Sequence, residues 1–135
     1  MLLESIYNTK GVKGQMKNRN ILLVEDDKAI RDTLSQILEY LGCSVMLASN
    51  GLEALEILNK CETPPRVILL DLMMPNMNGW EFMKALDENP NQASTPIVII
   101  SAFTPKDPFP DRVVEKIKKP VNLNQLSSII DKYCA

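Results

Sequence analysis

The residues best able to do chemistry in this chain are acids, and they sit at marked positions. Glu25-Asp26-Asp27 follows the apolar run Ile21-Leu22-Leu23-Val24, and Asp71 follows Val67-Ile68-Leu69-Leu70. Two other useful side chains are placed similarly: Ser101 comes directly after Ile97-Val98-Ile99-Ile100, and Lys119 stands at the end of a strand-like stretch, before Pro120. The 135 residues contain no histidine. Ser-His-Asp and Cys-His nucleophiles and imidazole metal ligands are therefore excluded. Cys43, Cys61 and Cys134 are too few and too spread for a disulfide framework or a zinc site. What remains is carboxylate, hydroxyl and lysine chemistry, which favours hard cations and phosphate.

Gathering those acids has a cost. Two carboxylates ~5 Å apart repel by about 3 kcal/mol at an effective dielectric of ~20. Three cannot all stay ionised without a cation. Carboxylates with waters suit Mg²⁺, which would relieve the repulsion. Lys119 would offset part of the same charge and pair with a phosphoryl group, while Ser101 supplies a neutral hydrogen-bond donor. The set is suited to placing a phosphoryl group on Asp71.

Alternating elements bring these positions together. Ile30, Leu34, Ile37, Leu38 and Leu41 recur at helical spacing and Gly42 closes that helix. A strand over 43–48, a helix over 52–58, the 67–70 strand, a helix over about 79–89, the 97–100 strand, a fifth strand ending at Lys118 and a helix over 122–133 complete the order. Strands alternating with helices imply a parallel sheet covered on both faces. The uninterrupted apolar runs agree, since central parallel strands are buried on both sides. Ligands of such sheets bind beyond the carboxyl ends of the strands, where strand order reverses. Glu25, Asp26, Asp71, Ser101 and Lys119 all stand at those ends.

Composition sets the limits. The length is that of one domain. Hydrophobic residues make up 45% and charged residues 24%, as in globular proteins. A net charge of −2 gives no overall pull toward nucleic acid or lipid. No apolar run approaches the ~20 residues of a membrane span, and the N-terminus lacks a signal-peptide pattern, so a cytoplasmic location is expected. Residues 1–19 carry Lys10, Lys13, Lys17 and Arg19 against one acid and read as a flexible basic extension, with the domain over 20–135.

The segments ILLVEDD (21–27), VILLDLMMPNMNG (67–79), TPIVIISA (95–102) and KKP (118–120) together resemble the receiver domain of response regulators, the phosphoacceptor of two-component signalling. Each piece is weak by itself; four in order, each at a strand end, are specific. The resemblance implies a flavodoxin-like five-stranded parallel sheet in the order 2-1-3-4-5, as in the chemotaxis receiver. It implies that Asp71 accepts a phosphoryl group from the phosphohistidine of a histidine kinase or histidine phosphotransfer protein. Asp26 would bind Mg²⁺ directly and Glu25 through a water, with Asp71 and the main-chain carbonyl of Met73 completing the protein ligands. Ser101 would hydrogen-bond the phosphoryl group and Lys119 would pair with it. Pro75 and Gly79 would shape the loop after the third strand, and the Lys119–Pro120 bond would be cis. Such a protein is a signalling phosphoacceptor and no enzyme in the ordinary sense. Only sixteen residues follow Lys119, so a stand-alone receiver is expected, working through an unidentified downstream protein without direct nucleic-acid contact.

Plainer readings compete at several positions. Asp27 suits a helix N-cap better than a metal. Met73, Met74 and Met77 suit packing and loop roles, and Trp80 fits a helix start as well as a partner contact. A haloacid-dehalogenase-type phosphatase would require a second acid where Met73 stands. A nucleotide or flavin binder would require a glycine-rich loop that is missing after the first strand. A receiver-like docking module working without phosphorylation is the remaining alternative, and the intact acid, hydroxyl and lysine set disfavours it.

Two departures from the family stand out. Between Ser101 and Lys119 the chain is short and carries Pro105, Pro108 and Pro110. An interior proline costs a helix about 3 kcal/mol, so the helix that receivers carry here is expected to be missing or reduced to a turn. Lys116 occupies the place of the family's usual aromatic, so Phe103 or Phe109 would have to substitute for it. The expected partner surface is then this new loop, or the surface around the first helix, in place of the common dimer face.

Overall fold

Strands without a polar face need cover on both sides, and this chain supplies it. The computed structural model describes residues 19–74, 76–89, 94–103 and 108–135. Their elements run β1 (Asn20–Val24), α1 (Lys28–Tyr40), β2 (Ser44–Ala48), α2 (Gly51–Lys60), β3 (Val67–Leu70), α3 (Gly79–Asp87), β4 (Ile97–Ser101), β5 (Val113–Lys118) and α4 (Leu123–Tyr133). The strands form one parallel sheet in the order β2-β1-β3-β4-β5, the doubly wound arrangement expected. Alternate side chains of each strand feed two cores. Ile21, Leu23, Val67, Leu69 and Ile117 pack beneath α1 and α4. Leu22, Val24, Ile68, Leu70 and Ile99 pack beneath α2 and α3.

Each helix starts on a short polar side chain that satisfies a first-turn N–H. Asp27 accepts from Ile30, Asn50 from Glu53, Asn78 from Glu81 and Asn122 from Gln125. Asn78 and Glu81 bond reciprocally in a capping box. These caps explain why α1 begins at Lys28, ahead of its apolar periodicity. Helix α3 ends at Asp87, two residues before the expected limit. Gly42 follows α1 with φ +89°, a left-handed conformation that suits glycine.

Among the described residues, none between β4 and β5 is helical; residues 104–107, with Pro105, lie outside them. Pro108 and Pro110 carry no N–H for a helical ladder. Three side chains gather where the connection enters β5. Phe109 stacks on Trp80, with ring centroids 4.8 Å apart and planes 6° from parallel. The ammonium of Lys116 lies over the same ring, 5.0 Å from its centroid. Phe109, Trp80 and Val113 pack against the core under α2 and α3. The expected basic extension falls on residues outside those described, apart from Arg19. Arg19 donates to the carbonyl of Leu41 and to Asp131, which ties it to the turn after α1 and to α4.

Phe109 therefore covers sheet that a helix would otherwise protect. Phe109→Ala is expected to lower stability by about 2 kcal/mol, roughly half the loss from a fully buried Phe. Urea unfolding followed by the emission of Trp80, the single tryptophan, should give a lower midpoint and a changed native spectrum.

Candidate functional site

Strand register decides which side chains meet. Val24 of β1 lies beside Leu70 of β3, so Glu25 and Asp71 leave the sheet as neighbours. The ladder runs one residue further: the Asp71 N–H donates to Val24 O at 3.0 Å and the Glu25 N–H to Ala48 O at 3.0 Å. On the other side, Ser101 pairs with Lys118, and the Lys119 N–H donates to Ser101 O at 3.0 Å. Strand order reverses between β1 and β3, and there a crevice of about 280 Å³ opens. Glu25, Asp26, Asp71, Met73, Ser101 and Lys119 all line it. Each position expected from the sequence is thus brought to one place.

The crevice has a buried polar floor. Glu25, Asp71 and Ser101 are buried, while Asp26 is exposed at the mouth. One carboxylate oxygen from each of Glu25, Asp26 and Asp71 falls within 4.8 Å of the others. Lys119 Nζ spans two of the acids, 2.7 Å from Glu25 Oε1 and 3.3 Å from Asp71 Oδ2. Backbone donors take further oxygens: the Asp27 N–H donates to Glu25 Oε2 at 3.1 Å and the Met73 N–H to Asp71 Oδ1 at 3.1 Å.

Burial raises the Glu25 pKa above its ordinary value, against the hydrogen bonds from Lys119 and the Asp27 N–H; the charge of Asp71 adds to the rise. Desolvation by itself would lower the Lys119 pKa. The hydrogen bond to Glu25 and the charges of Asp71 and Glu25 outweigh it, so Lys119 is held above its ordinary value and stays an ammonium. A cation already lies between two of the acids, and the third acid faces solvent. This all-oxygen donor set, crowded and only partly neutralised, fits a hard divalent ion such as Mg²⁺.

The structure also adds detail that sequence patterns did not supply. Arg31 in α1 reaches back, its Nη1 donating to Glu25 O at 2.9 Å and to Asp26 O at 3.4 Å. It braces the backbone of the acidic run. Its spacing of four from Asp27 was the only signal, and a surface helix arginine gives the same pattern. Asp27 serves as the N-cap, as its short side chain before the helix suggested. Of the two aromatics considered beside Ser101, Phe109 is committed to Trp80, whereas Phe103 lines the crevice and its N–H donates to Ser101 Oγ at 3.4 Å. Lys116 is exposed. The Lys119–Pro120 bond is cis, as expected. Pro75 lies outside the described residues.

Helix α3 is pressed against the acceptor loop. The Gly79 N–H donates to Leu72 O at 2.9 Å, and a methyl at Gly79 would lie 2.9 Å from Leu72 Cα and 3.2 Å from Asp71 O.

The model of the response regulator receiver domain matches residues 21–131. The chain is 34% identical over 119 residues to the transcriptional regulatory protein CrdR of Helicobacter pylori, covering 85% of this chain and 54% of that protein. It therefore spans about half the length of that relative. Against sporulation initiation phosphotransferase F of Bacillus subtilis it is 30% identical over 125 residues, 87% of this chain and 95% of the other. Among solved structures, the Vibrio cholerae chemotaxis protein CheY4 superimposes with a TM-score of 0.74 at 28% identity, covering 86% of this chain and 98% of that one.

Gly79→Ala tests the contact between α3 and the loop. Leu72 Cδ2 also lies 2.9 Å away, but Leu72 Cα and Asp71 O are backbone and cannot swing aside, so the clash should outweigh alanine's better helix propensity. A net destabilisation of about 1–3 kcal/mol is expected, read as a lower urea midpoint with an unchanged m-value.

Proposed function

The chain belongs to the response regulator receiver domain family, and from that premise we propose that it accepts a phosphoryl group on Asp71 in two-component signalling. The observation that carries the reading is the crevice itself: three carboxylates within 4.8 Å, spanned by Lys119 and bordered by Ser101. The donor is the phosphohistidine of a histidine kinase or histidine phosphotransfer protein. An Asp71 oxygen attacks phosphorus in line, the N–P bond breaks, and the imidazole leaves neutral, keeping the proton on its other nitrogen. Asp26, Asp71 and the Met73 carbonyl would hold Mg²⁺, with Glu25 acting through a water. When bound, the ion neutralises charge on the phosphoryl oxygens. Lys119 exchanges part of its pairing with the acids for a phosphoryl oxygen, and Ser101 donates its hydroxyl to another. The protein is on this reading a phosphoacceptor acting on itself, working in the cytoplasm and passing its signal to a downstream protein.

The docking site for the phosphodonor protein is proposed on the α1 side. An apolar groove of about 520 Å³ lies between α1 and the segment after β5, lined by Ile30, Leu34, Ile37, Val121 and Leu123, with Lys119 at its edge. Ile30 and Lys119 also line the acceptor crevice. A partner helix in this groove would be held beside Asp71.

Two expectations follow. Incubation with acetyl phosphate and Mg²⁺ should label the chain, and Asp71→Asn or excess chelator should abolish the label while the fold is kept. Label surviving in Asp71→Asn would assign the acceptor elsewhere. Lys119→Ala and Ser101→Ala should suppress the conformational response more than metal binding. The response can be followed by hydrogen exchange, since a phosphoryl group brings a charge of about −1.5 to −2 that these two side chains read. Wild-type exchange changes in both variants would remove their assigned role.

A further inference from the structure

The three acids of the crevice are held in two different ways. Glu25 and Asp71 each have both carboxylate oxygens engaged, Glu25 by Lys119 and the Asp27 N–H, Asp71 by Lys119 and the Met73 N–H. The Asp26 carboxylate is exposed at the mouth. Among the described residues, the contacts that hold Asp26 run through its main chain, and they come from Arg31 in the first turn of α1. Arg31 Nη1 has two N–H groups, and it donates to Glu25 O at 2.9 Å and to Asp26 O at 3.4 Å. Those carbonyls belong to the peptide units on either side of the Asp26 Cα, so one nitrogen grips both. Arg31 is itself seated by its main-chain N–H, which donates to Asp27 O at 2.8 Å, beside the Asp27 cap on Ile30.

We propose that Arg31 is a positioning residue for the Mg²⁺ site: by gripping both peptide units of Asp26, it sets this exposed ligand in place before the ion arrives. The inference rests on the metal role proposed for the crevice. An acid beside two others is pushed outward by their charge. With its backbone free to turn, it would have to be ordered each time an ion is taken up, and that ordering weakens binding. A ligand whose support is fixed in advance avoids the loss. Charge alone argues for the opposite sign. A guanidinium near a cation site repels the ion, so removing it should tighten Mg²⁺ binding. Arg31 is only half-buried, however, and solvent screens its charge. Loss of an outer partner that orients a metal ligand typically costs about tenfold to a hundredfold in affinity. Positioning therefore outweighs repulsion. The same grip joins the acidic run to α1, so Mg²⁺ binding should also steady the first turn of that helix.

The test is Mg²⁺ binding itself, with no phosphodonor present. Arg31 belongs to neither core, so circular dichroism should show every variant folded. Calorimetric titration of the full chain with magnesium chloride should show Arg31→Met binding the ion about tenfold or more weakly than wild type. Arg31→Lys keeps the charge and an ammonium able to reach one carbonyl, and should bind at least about threefold more tightly than Arg31→Met. In hydrogen exchange, saturating Mg²⁺ should slow the amides of residues 30–32 in the wild-type chain and leave them unchanged in Arg31→Met. Failure of the wild-type chain to bind Mg²⁺ is a separate result and overturns the metal reading beneath the proposal. Arg31→Met that binds the ion as tightly as wild type, or more tightly, overturns the positioning role, as does an Arg31→Lys no better than Arg31→Met.

Discussion

Crowding of like charge at one end of the sheet is the constraint to which the rest of the structure answers. Glu25 and Asp71 are nearly excluded from water, and Asp26 lies close enough for the three to share one ion. Such a cluster persists only where compensation is built in. Lys119 supplies the opposite charge, backbone N–H groups of Asp27 and Met73 take carboxylate oxygens, and Arg31 pins the carbonyls of the acidic run. The fixed donors occupy some carboxylate oxygens and leave the exposed side of the cluster open. A crevice so arranged is short of positive charge, which is the condition for taking up a cation.

Holding that cluster requires a rigid platform. The strands that end in Glu25, Asp71 and Ser101 are buried on both faces, and their neighbours in register leave little freedom to slide. Moving one strand by a residue would exchange its two core faces and withdraw its terminal polar side chain from the site. The close approach of Gly79 to Leu72 and Asp71 carries the same rigidity into α3. The two cores therefore stabilise the fold and, through strand register, aim the polar side chains at the carboxyl end of the sheet.

The β5 side is built differently. Trp80, Phe109 and Lys116 meet where the connection enters β5, and that stack joins the start of α3, the connection and the strand leading to Lys119. Lys116 lies over Phe109 and is exposed, and Phe103 stands beside Ser101 at the mouth of the crevice. The aromatic surface near the site is divided between a packed stack and an open rim, each held by separate contacts.

Much of this was legible in the sequence because it depends on near neighbours. Period and run length marked the strands and helices, the prolines argued against a helix before β5, and Asp27 announced its cap. Even the crevice could be inferred, since the acids and Ser101 followed apolar runs, and Lys119 a further strand, in a fold whose strand ends converge. Some features depended on distances along the chain that no local pattern encodes. The bridge from Lys119 to both Glu25 and Asp71, the reach of Arg31 to two carbonyls, and the pairing of Phe109 with Trp80 in place of Ser101 are such features. Local patterning names the residues at each strand end; register and packing between remote segments set their angles and separations, and only tertiary structure contains that information.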